Sequence, residues 1–485
     1  MPSMTGPRTC PTPPASDPAP RGPVALHTVA RDRGRRARAG GRGRTLAGAL
    51  SIALAAAGIV GSSAALAAPG DLVPRGCIED GGGAEGCGRY AEGLAGAGAI
   101  VVSPDGRSVY VTAFDDDAVV HLRRNRRHGG LRDAGCIDDE GSAACARGIE
   151  GLDGASDVAI SANGRHVYVT SYGDSSLLHF LRNRRTGRLR LANCIDDADL
   201  APVDDVCPGG AEGLSGALDV ALSPDGRSLY VASQLDAAIV RFALDRAGRP
   251  RAVDCYEDDD KLFSDDCARD REGLASASAV TVSPDGRSVY VASFADDAVT
   301  RFVRKRNGAL RYRGCVDDNE PPDGPDECAR STDGLNSAHS LVVSPDGRYL
   351  YAGTSNDLTI VRFRLARRGE LRPRGCVEHP SASPVCATVA NGIGRAGDFA
   401  IDDRGRSLYV AGLSGMAPFK RLPGSGDLIE RPCLEDVDRA PGPSTCPRKV
   451  RGLGGVNAVA LSPDERWLYA ASSTDAAVAT FKRRR

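Results

Sequence analysis

The feature that most constrains this chain is a four-residue turn motif that occurs seven times, with substitutions in some copies. The first copy is Ser103-Pro-Asp-Gly106, and successive copies begin 58–62 residues apart. In every copy a tyrosine stands seven residues after the first residue. A fixed period of this length is typical of repeat architectures, in which each copy is one supersecondary unit. The copies begin at Ser103, Ser161, Ser223, Ser283, Ser344, Asp402 and Ser462.

Each repeat contains four short strand-like runs and no helix-length 3.6-residue pattern. We name the runs strands a to d; they are illustrated by residues 219–222, 287–292, 298–302 and 310–316. The Pro-Asp-Gly turn joins strand a to strand b, because proline presets φ and glycine accepts a positive φ. Four antiparallel strands repeated seven times predict an all-β fold, a seven-bladed β-propeller spanning residues 68–485.

The two ends of the repeat region predict how the ring closes. Residues 72–78 form a d-type strand, whereas the last repeat supplies strands a, b and c over residues 457–481 and has no d strand. We therefore expect the N-terminal strand to complete the last blade, which removes an open sheet edge. Residues 482–485 are interpreted as a charged tail beyond the last apolar residue, Phe481, and trimming them is expected to destabilise the fold far less than deleting residues 72–78.

The repeat resembles a known family. Pro-Asp-Gly-Arg followed by Val-Tyr-Val-Thr, at residues 109–112, looks like the YVTN propeller repeat, a WD40-like motif, and residues 167–170 repeat it. Seven such blades are similar to the lactonase-like propellers, including the bacterial 6-phosphogluconolactonases. The resemblance implies the propeller fold and, as an alternative function, hydrolysis of a lactone at the channel mouth. It implies no particular catalytic residue.

Residues 1–67 differ in composition from the repeats. An Arg-rich stretch up to Arg44 precedes an uncharged apolar run over residues 46–60 and the small-residue site Ala65-Leu-Ala67. This order predicts a secretory signal peptide. The alternative is a membrane anchor, but the run is shorter than the ~20 residues that span a bilayer. Removing residues 1–67 would take nine Arg and two Asp with it, changing the net charge from −1 to −8.

The cysteines recur with the repeat. Each unit carries two, separated by 9–13 residues, and the fifteenth, Cys10, lies in the leader. Metal binding is disfavoured because neither a C-x2-C spacing nor a recurring His accompanies the pairs. We predict seven local disulfides, which agrees with export to the cell surface or medium. The predicted pairs are Cys77 with Cys87, Cys136 with Cys145, Cys194 with Cys207, Cys255 with Cys267, Cys315 with Cys328, Cys376 with Cys386, and Cys433 with Cys446.

Charge is predicted to segregate between the two faces of the propeller. An arginine follows each a–b turn, and the c–d turns are basic, as in Arg123, Arg124, Arg126 and Arg127. The b–c loops and the residues after each first cysteine are acidic. Such a field can steer an anionic partner to the basic face, for example a cell-surface polymer. The alternative is that these charged loops only keep the protein soluble. The near-neutral total charge and the low aromatic content of 5% argue against a nucleic-acid partner.

Residues that open strand a are expected to line the mouth of the central channel. Asp157, Asp219 and Asp398 share one register there, and His339 comes from blade 5. Converging oxygens suit a hard cation such as Ca²⁺, and a His beside carboxylates could act as a general base. The favoured interpretation is structural: these carboxylates bond backbone N–H groups of adjacent blades. His121 and His179, which alternate with Arg in later repeats, are interpreted as solvated.

Together these features predict a secreted or cell-surface binding module whose ligand is an anionic polymer or a small molecule. The alternative, from the resemblance, is a lactone hydrolase. We expect a monomer with no certain cofactor, Ca²⁺ being the one candidate, and with no membrane span after cleavage.

Overall fold

The computed structural model describes residues 68–81, 86–140, 144–199, 207–258, 267–319, 328–382, 384–413, 415–438 and 446–484. These residues form one compact unit. The predicted leader lies outside them, so its cleavage and the 1–67 boundary stay predictions. Within the described ranges, no helix is long and apolar enough to cross a membrane.

The chain forms seven small, mainly antiparallel sheets, one for each repeat, which confirms the predicted β-propeller. Strand a of each blade contacts strand a of both neighbours, and the contact between blades 7 and 1 closes the ring. The first three blades, preceded by the N-terminal strand, comprise β1 (Leu72–Glu79), β2 (Ala97–Val102), β3 (Ser108–Ala113), β4 (Ala118–Arg124), β5 (Leu131–Asp139), β6 (Gly148–Ile149), β7 (Ala155–Ile160), β8 (His166–Ser171), β9 (Ser176–Arg182), β10 (Leu189–Asp197), β11 (Gly210–Ala211), β12 (Ala217–Leu222), β13 (Ser228–Ser233), β14 (Ala238–Leu244) and β15 (Pro250–Glu257).

The remaining blades follow the same plan. They comprise β16 (Ala277–Val282), β17 (Ser288–Ser293), β18 (Ala298–Arg304), β19 (Leu310–Asp318), β20 (Ser331–Thr332), β21 (Ala338–Val343), β22 (Tyr349–Thr354), β23 (Thr359–Leu365), a 3-10 turn (Arg367–Gly369), β24 (Leu371–Glu378), β25 (Thr388–Val389), β26 (Asp398–Ile401), β27 (Ser407–Gly412), β28 (Gly415–Arg421), β29 (Leu428–Glu430), β30 (Leu434–Asp436), β31 (Arg448–Val450), β32 (Val456–Leu461), β33 (Trp467–Ser472) and β34 (Ala477–Arg483).

Blade strand counts exceed the predicted four in several blades. The connection from strand d to the next blade folds back and adds a short parallel strand, as β6 does beside β5. The disulfide that closes this connection holds the returning segment against strand d. In blade 6, strand d is divided into β29 and β30. Pro432 lies in the interruption, and proline cannot donate a ladder hydrogen bond.

The N-terminal strand closes the ring as predicted. β1 pairs antiparallel with β34, with Leu72 opposite Arg483 and Ile78 opposite Val478. Residues 482 and 483 are not a tail outside the last strand, because β34 extends to Arg483 and this side chain contacts blade 6. The Nε of Arg483 donates to the Tyr409 hydroxyl at 2.8 Å.

The recurring tyrosine joins neighbouring blades. All seven are at most 1% exposed. Each hydroxyl donates to a glycine carbonyl in the c–d turn of the next blade, or in the segment that precedes β1, at 2.5–2.8 Å. Most of the remaining core between blades is apolar, and all six residues of each b strand are buried. The tyrosines are Tyr110, Tyr168, Tyr230, Tyr290, Tyr351, Tyr409 and Tyr469.

Five of the seven blade boundaries add an arginine to this tyrosine, in an arrangement that we call the clasp. An Arg at the end of strand c donates its Nε to the tyrosine of the preceding blade at 2.6–2.9 Å and binds the Asp of that blade's a–b turn. The clasps are Arg124 with Tyr469 and Asp464, Arg182 with Tyr110 and Asp105, Arg304 with Tyr230 and Asp225, Arg421 with Tyr351 and Asp346, and Arg483 with Tyr409 and Asp402.

Two boundaries have no clasp because leucine stands at the arginine position. Leu244 donates its N–H to Arg227 at 2.9 Å, and Leu365 donates to Arg348 at 2.8 Å, matching the 2.8 Å bond from Arg124 to Arg107. The backbone register is therefore unchanged and only the side chain differs. The boundaries between blades 2 and 3 and between blades 4 and 5 consequently lack the buried ion pair.

All seven predicted cysteine pairs lie in disulfide geometry, with Cα–Cα distances of 5.0–5.4 Å. Each bridge closes a short loop between strand d and the next blade. In the chain-entropy description such a loop contributes ~3 kcal/mol. Seven pairs indicate an oxidising, extracellular environment. The bridges join Cys77 to Cys87, Cys136 to Cys145, Cys194 to Cys207, Cys255 to Cys267, Cys315 to Cys328, Cys376 to Cys386, and Cys433 to Cys446, as predicted.

We predict that the protein without residues 1–67 contains no free thiol. Every cysteine of residues 68–485 has a partner, and Cys10 lies in the predicted leader. The measurement is thiol titration of the denatured, unreduced protein, with the reduced protein as the fourteen-thiol control. Two or more free thiols per chain would contradict the pairing.

Candidate functional sites at the channel mouth and on the basic face

The four predicted channel residues lie on one cavity. Asp157, Asp219, His339 and Asp398 all line a space of about 610 Å³ at the start of the a strands. The b–c loops contribute Gln234 and Phe294 to the same cavity. The four residues therefore lie at one register of the channel wall, as expected.

The three aspartates join adjacent blades. Asp157 accepts a hydrogen bond from the Val220 N–H at 3.0 Å, and Asp219 accepts one from Val280 at 2.6 Å. Asp398 accepts one from Val459 at 2.9 Å. In each case the donor lies in strand a of the next blade, which is the arrangement of the favoured structural interpretation.

Burial makes two of these carboxyls hard to ionise. Burial raises the pKa of Asp398 to about 7, and the nearby Asp157 contributes in the same direction. Burial and the adjacent Asp157 also raise the pKa of Asp219 well above its ordinary value. At neutral pH the channel wall therefore contains carboxyl groups that bind protons more readily than free aspartate.

Replacing Asp398 with Asn should change the pH dependence of stability. A folded-state pKa of about 7, against 3.8 in the unfolded chain, gives a stability contribution that is complete below pH 4 and is lost as pH rises through 7. Between pH 5.5 and 8.5 the wild type should lose about 2 kcal/mol relative to Asp398→Asn, at 1.36 kcal/mol per pKa unit. Urea unfolding of both proteins at the two pH values measures this difference. A constant difference would contradict the perturbed carboxyl.

One ring nitrogen of His339, in the channel wall, makes no hydrogen bond to the described residues. Its Nδ1 lies 3.1 Å from the Ser337 carbonyl, so this nitrogen holds the proton and Nε2 has a lone pair. Nε2 is covered from solvent and has no hydrogen-bond partner within the described chain. Burial, helped by the positive charge of Arg395, lowers the pKa of His339 to about 4. The ring is therefore neutral at neutral pH.

Sequence reasoning missed Arg395, which lines the same cavity. Its φ of +51° matches the positive φ of Gly96, Gly154 and Gly216 at the corresponding positions of blades 1–3. Ser276 and Ser337 hold the same left-handed conformation in blades 4 and 5, so the positive φ belongs to the repeat. What distinguishes blade 6 is the cationic side chain that it places on the cavity. A comparison of the residues that precede each strand a would have found this substitution.

The interpretation of His121 and His179 as solvated is wrong. They are 6% and 0% exposed, because each ring stacks on the repeat tyrosine of its own blade. The Nε2 of His121 lies 3.0 Å from the Ser108 hydroxyl, and that of His179 lies 3.0 Å from Nδ1 of His166. Burial lowers the pKa of both His121 and His179 to about 4. Both histidines are core residues.

The acidic face uses its carboxylates to organise loops. In all seven repeats the acid that follows the first cysteine binds the N–H of the second cysteine, as Asp138 does with Cys145 at 2.7 Å. In six of the seven repeats the second acid binds the N–H of a Gly-Leu leucine, as Asp139 does with Leu152 at 2.9 Å. The b–c loop acids behave similarly; Asp174 accepts from the Asp153 N–H at 2.8 Å.

The opposite face is lined by arginines that point to solvent. The residue after each a–b turn is exposed in all seven blades. Arg123, Arg126 and Arg127 are exposed as well, but Arg124 is only 6% exposed because it forms a clasp. The prediction that Arg124 lies in a turn and offers free charge is therefore wrong. The exposed turn arginines are Arg107, Arg165, Arg227, Arg287, Arg348, Arg406 and Arg466.

The structure brings together no evident metal cage. Among the residues it describes, no three His, Cys, Asp or Glu side chains are grouped so as to hold an ion. The Ca²⁺ hypothesis for the channel mouth stays an untested prediction.

Comparisons with known proteins find similar propellers. The WD domain, G-beta repeat model matches residues 444–478. The 6-phosphogluconolactonase of Enterobacter sp. (strain 638) is 25% identical over 166 residues, which cover 34% of this chain. The chain spans 45% of that relative's length.

Among solved structures, the periplasmic gluconolactonase of Pseudomonas aeruginosa is 19% identical with a TM-score of 0.49, covering 70% of this chain and 85% of its own. Kuenenia stuttgartiensis hydrazine synthase is 14% identical with a TM-score of 0.49, covering 80% and 96%. The predicted resemblance to lactonase-like propellers is found again in the Enterobacter relative, while the fold itself is established by the seven sheets. The activities named are those of the other proteins.

Proposed function

We propose that the protein is an exported, disulfide-stapled propeller that binds an anionic cell-surface polymer through its basic face. The observation that carries this proposal is the exposure of one arginine after every a–b turn. On the other face the acidic side chains accept hydrogen bonds from backbone N–H groups. The two faces therefore differ in the sign of their charge, and the exposed arginines remain available to a partner. At physiological salt the screening length is about 8 Å, so a partner feels mainly the face that it touches.

The test is retention on a sulfonate resin across a salt gradient. The triple variant Arg123→Ser, Arg126→Ser, Arg127→Ser should elute at lower salt than the wild type, with an unchanged melting temperature, because these side chains are exposed. A matched control, Arg89→Ser, Arg147→Ser, Arg374→Ser, removes three exposed arginines from strand d and the d–a connections and should elute near the wild type. Equal elution of both triple variants would contradict a binding face.

A second candidate function is hydrolysis of a lactone in the channel. Two observations favour it: the Nε2 of neutral His339, which has no hydrogen-bond partner among the described residues, and the cationic Arg395 on the same cavity. In this proposal Nε2 accepts a proton from the water that attacks the lactone carbonyl, while the Arg395 guanidinium attracts the developing oxyanion. When the tetrahedral intermediate collapses, the ring C–O bond breaks and the departing alkoxide takes the proton from Nε2, which leaves the open hydroxy acid. The name of the Enterobacter relative points to the same substrate class.

Assaying a panel of lactones, with and without added Ca²⁺, tests this candidate. Turnover that His339→Gln abolishes and that Arg89→Ser leaves intact would support channel hydrolysis. Absence of turnover on every lactone would leave the binding module as the sole proposal.

A further inference from the structure

The boundary between blades 4 and 5 differs from the clasped boundaries in its charge. Leu365 replaces the clasp arginine, and a cleft of about 1310 Å³ opens there on the basic face. The cleft also contains the a–b turn of blade 4 with Asp285, and Tyr290, whose hydroxyl donates to the Gly369 carbonyl at 2.7 Å. Because Leu365 replaces the clasp arginine, no described side chain of blade 5 donates a guanidinium hydrogen bond to the Tyr290 hydroxyl.

Arg301, on the wall of this cleft, is a buried cation that forms no ion pair with a carboxylate of the described residues; its polar surroundings include the Tyr290 hydroxyl and the more distant charge of Glu370. Arg301 lies opposite Tyr290 in the blade 4 ladder and is 9% exposed. Its Nη2 donates to the Arg368 carbonyl, but its Nε has no hydrogen-bond partner within the described part of the chain. Burial lowers the pKa of Arg301, as expected for a cation removed from water.

The same register in neighbouring blades shows how this charge is normally satisfied. Arg241, opposite Tyr230 in blade 3, binds the Asp254 carboxylate at 2.5 Å. Arg362, opposite Tyr351 in blade 5, binds Asp427. In blades 3 and 5, therefore, a carboxylate neutralises the arginine at this register, whereas Arg301 in blade 4 has no such ion pair among the described residues. Because an unpaired buried charge is costly, the lone Arg301 calls for an anion from outside the described chain.

The remaining charges around the cleft have the same sign. Arg304 is committed to Asp225, Asp346 to Arg421, and Glu370 to Arg330 and Arg372. Asp285 is 4.0 Å from Arg287, and both side chains are exposed. The cations that line the cleft without an ion pair to another described residue are Arg301, Lys305, Arg306, Arg313, Arg367 and Arg368.

The backbone at the cleft is also unusual. Arg368 has a φ of +68°, a left-handed conformation that disfavours a non-glycine residue. Its carbonyl accepts hydrogen bonds from Arg301 and from the Ser288 hydroxyl, the latter at 3.4 Å. A strained arginine is thus held at the opening of the cleft by bonds to its main chain, while its side chain is exposed.

We infer that the cleft between blades 4 and 5 binds a tetrahedral oxyanion group, a phosphate or a sulfate, with the Arg301 guanidinium as its buried anchor. The inference rests on the proposed anionic partner and names the group through which that partner is held. Arginine suits this role because its planar guanidinium donates paired hydrogen bonds to oxyanions. The surrounding exposed cations raise the local anion concentration.

The experiment is isothermal titration of the full exported protein with inorganic phosphate and, separately, with inorganic sulfate. The wild type should bind at least one of the two, and comparison of the affinities identifies which oxyanion the cleft prefers. Arg301→Met and Arg368→Gly should each weaken binding at least ~10-fold, equivalent to ~1.4 kcal/mol. Arg246→Ser, an exposed c–d turn arginine at the other clasp-free boundary, should change the affinity less than ~2-fold, within about 0.5 kcal/mol.

Arg368→Gly keeps the test independent of folding. Glycine accepts the positive φ without strain, so this variant should melt at or above the wild-type temperature while it loses the anion. Absence of binding by the wild type, or unchanged affinity in both cleft variants, would overturn the inference. Wild-type retention on the sulfonate resin without phosphate or sulfate binding would reject the cleft and leave the proposed function standing, whereas loss of both would reject the proposed function too.

Discussion

Deletion of residues 68–79 should abolish cooperative folding. The deleted segment contains β1, whose Leu72 and Ile78 are each 1% exposed, and Gly70, which accepts the Tyr409 hydroxyl bond at 2.8 Å. Two buried aliphatic side chains, the strand hydrogen bonds and one disulfide together contribute roughly 8 kcal/mol, comparable with the net stability of a typical domain. Thermal unfolding followed by far-UV circular dichroism measures the effect.

The control separates the strand from its disulfide. Cys77→Ser with Cys87→Ser removes the bridge but keeps β1 paired with β34, and should cost only ~3 kcal/mol. Trimming residues 482–485 is not a neutral control, because Arg483 forms the clasp between blades 6 and 7. A deletion variant that melts cooperatively close to the double-serine variant would contradict closure by the N-terminal strand.

Breaking one clasp should also destabilise the ring strongly. Arg182 is 5% exposed and bonds the Tyr110 hydroxyl at 2.7 Å and the Asp105 carboxylate at 3.1 Å. Arg182→Leu leaves Asp105 without its buried partner and should cost about 3 kcal/mol in the free energy of unfolding. Urea unfolding of wild type and variant gives this difference.

The chain itself supplies the matched control. At the boundary between blades 2 and 3, Leu244 stands at the arginine position and Asn163 replaces the turn aspartate. The double variant Arg182→Leu, Asp105→Asn reproduces that boundary. It should recover part of the loss, because no unpaired carboxylate remains and the two changes are coupled. Simple additivity of the two single changes would show that the ion pair contributes no coupling energy.

The architecture could be predicted from the sequence because it repeats. One tyrosine and one turn in each copy reveal the blade, and the missing last d strand indicates closure by residues 72–78. The repeat spacing also reveals the clasp arginines, because Arg124, Arg182 and Arg304 each stand 21 residues after the first residue of their repeat. The clasp was missed because its meaning depends on which residue of the neighbouring blade the side chain reaches.

The repeat pattern does not predict the environment and partners of individual polar side chains. Arg123 and Arg124 are adjacent in sequence, yet one is exposed and the other forms a buried ion pair, since alternate strand residues face opposite sides. His179 and Arg241 share a register but have different partners, a histidine and an aspartate. Only contacts between strands and blades decide whether such a residue is solvated, structural or available to a ligand.

The central claim is that the basic face, and not the channel mouth, contacts the partner. Hydrogen–deuterium exchange with and without dextran sulfate tests it directly, because it reports protection along the described backbone. The account predicts protection confined to the a–b and c–d turns, including residues 104–107 and 125–130, with unchanged exchange at the channel residues 156–158 and 339–340. Protection at the channel mouth without protection of the turns would contradict it.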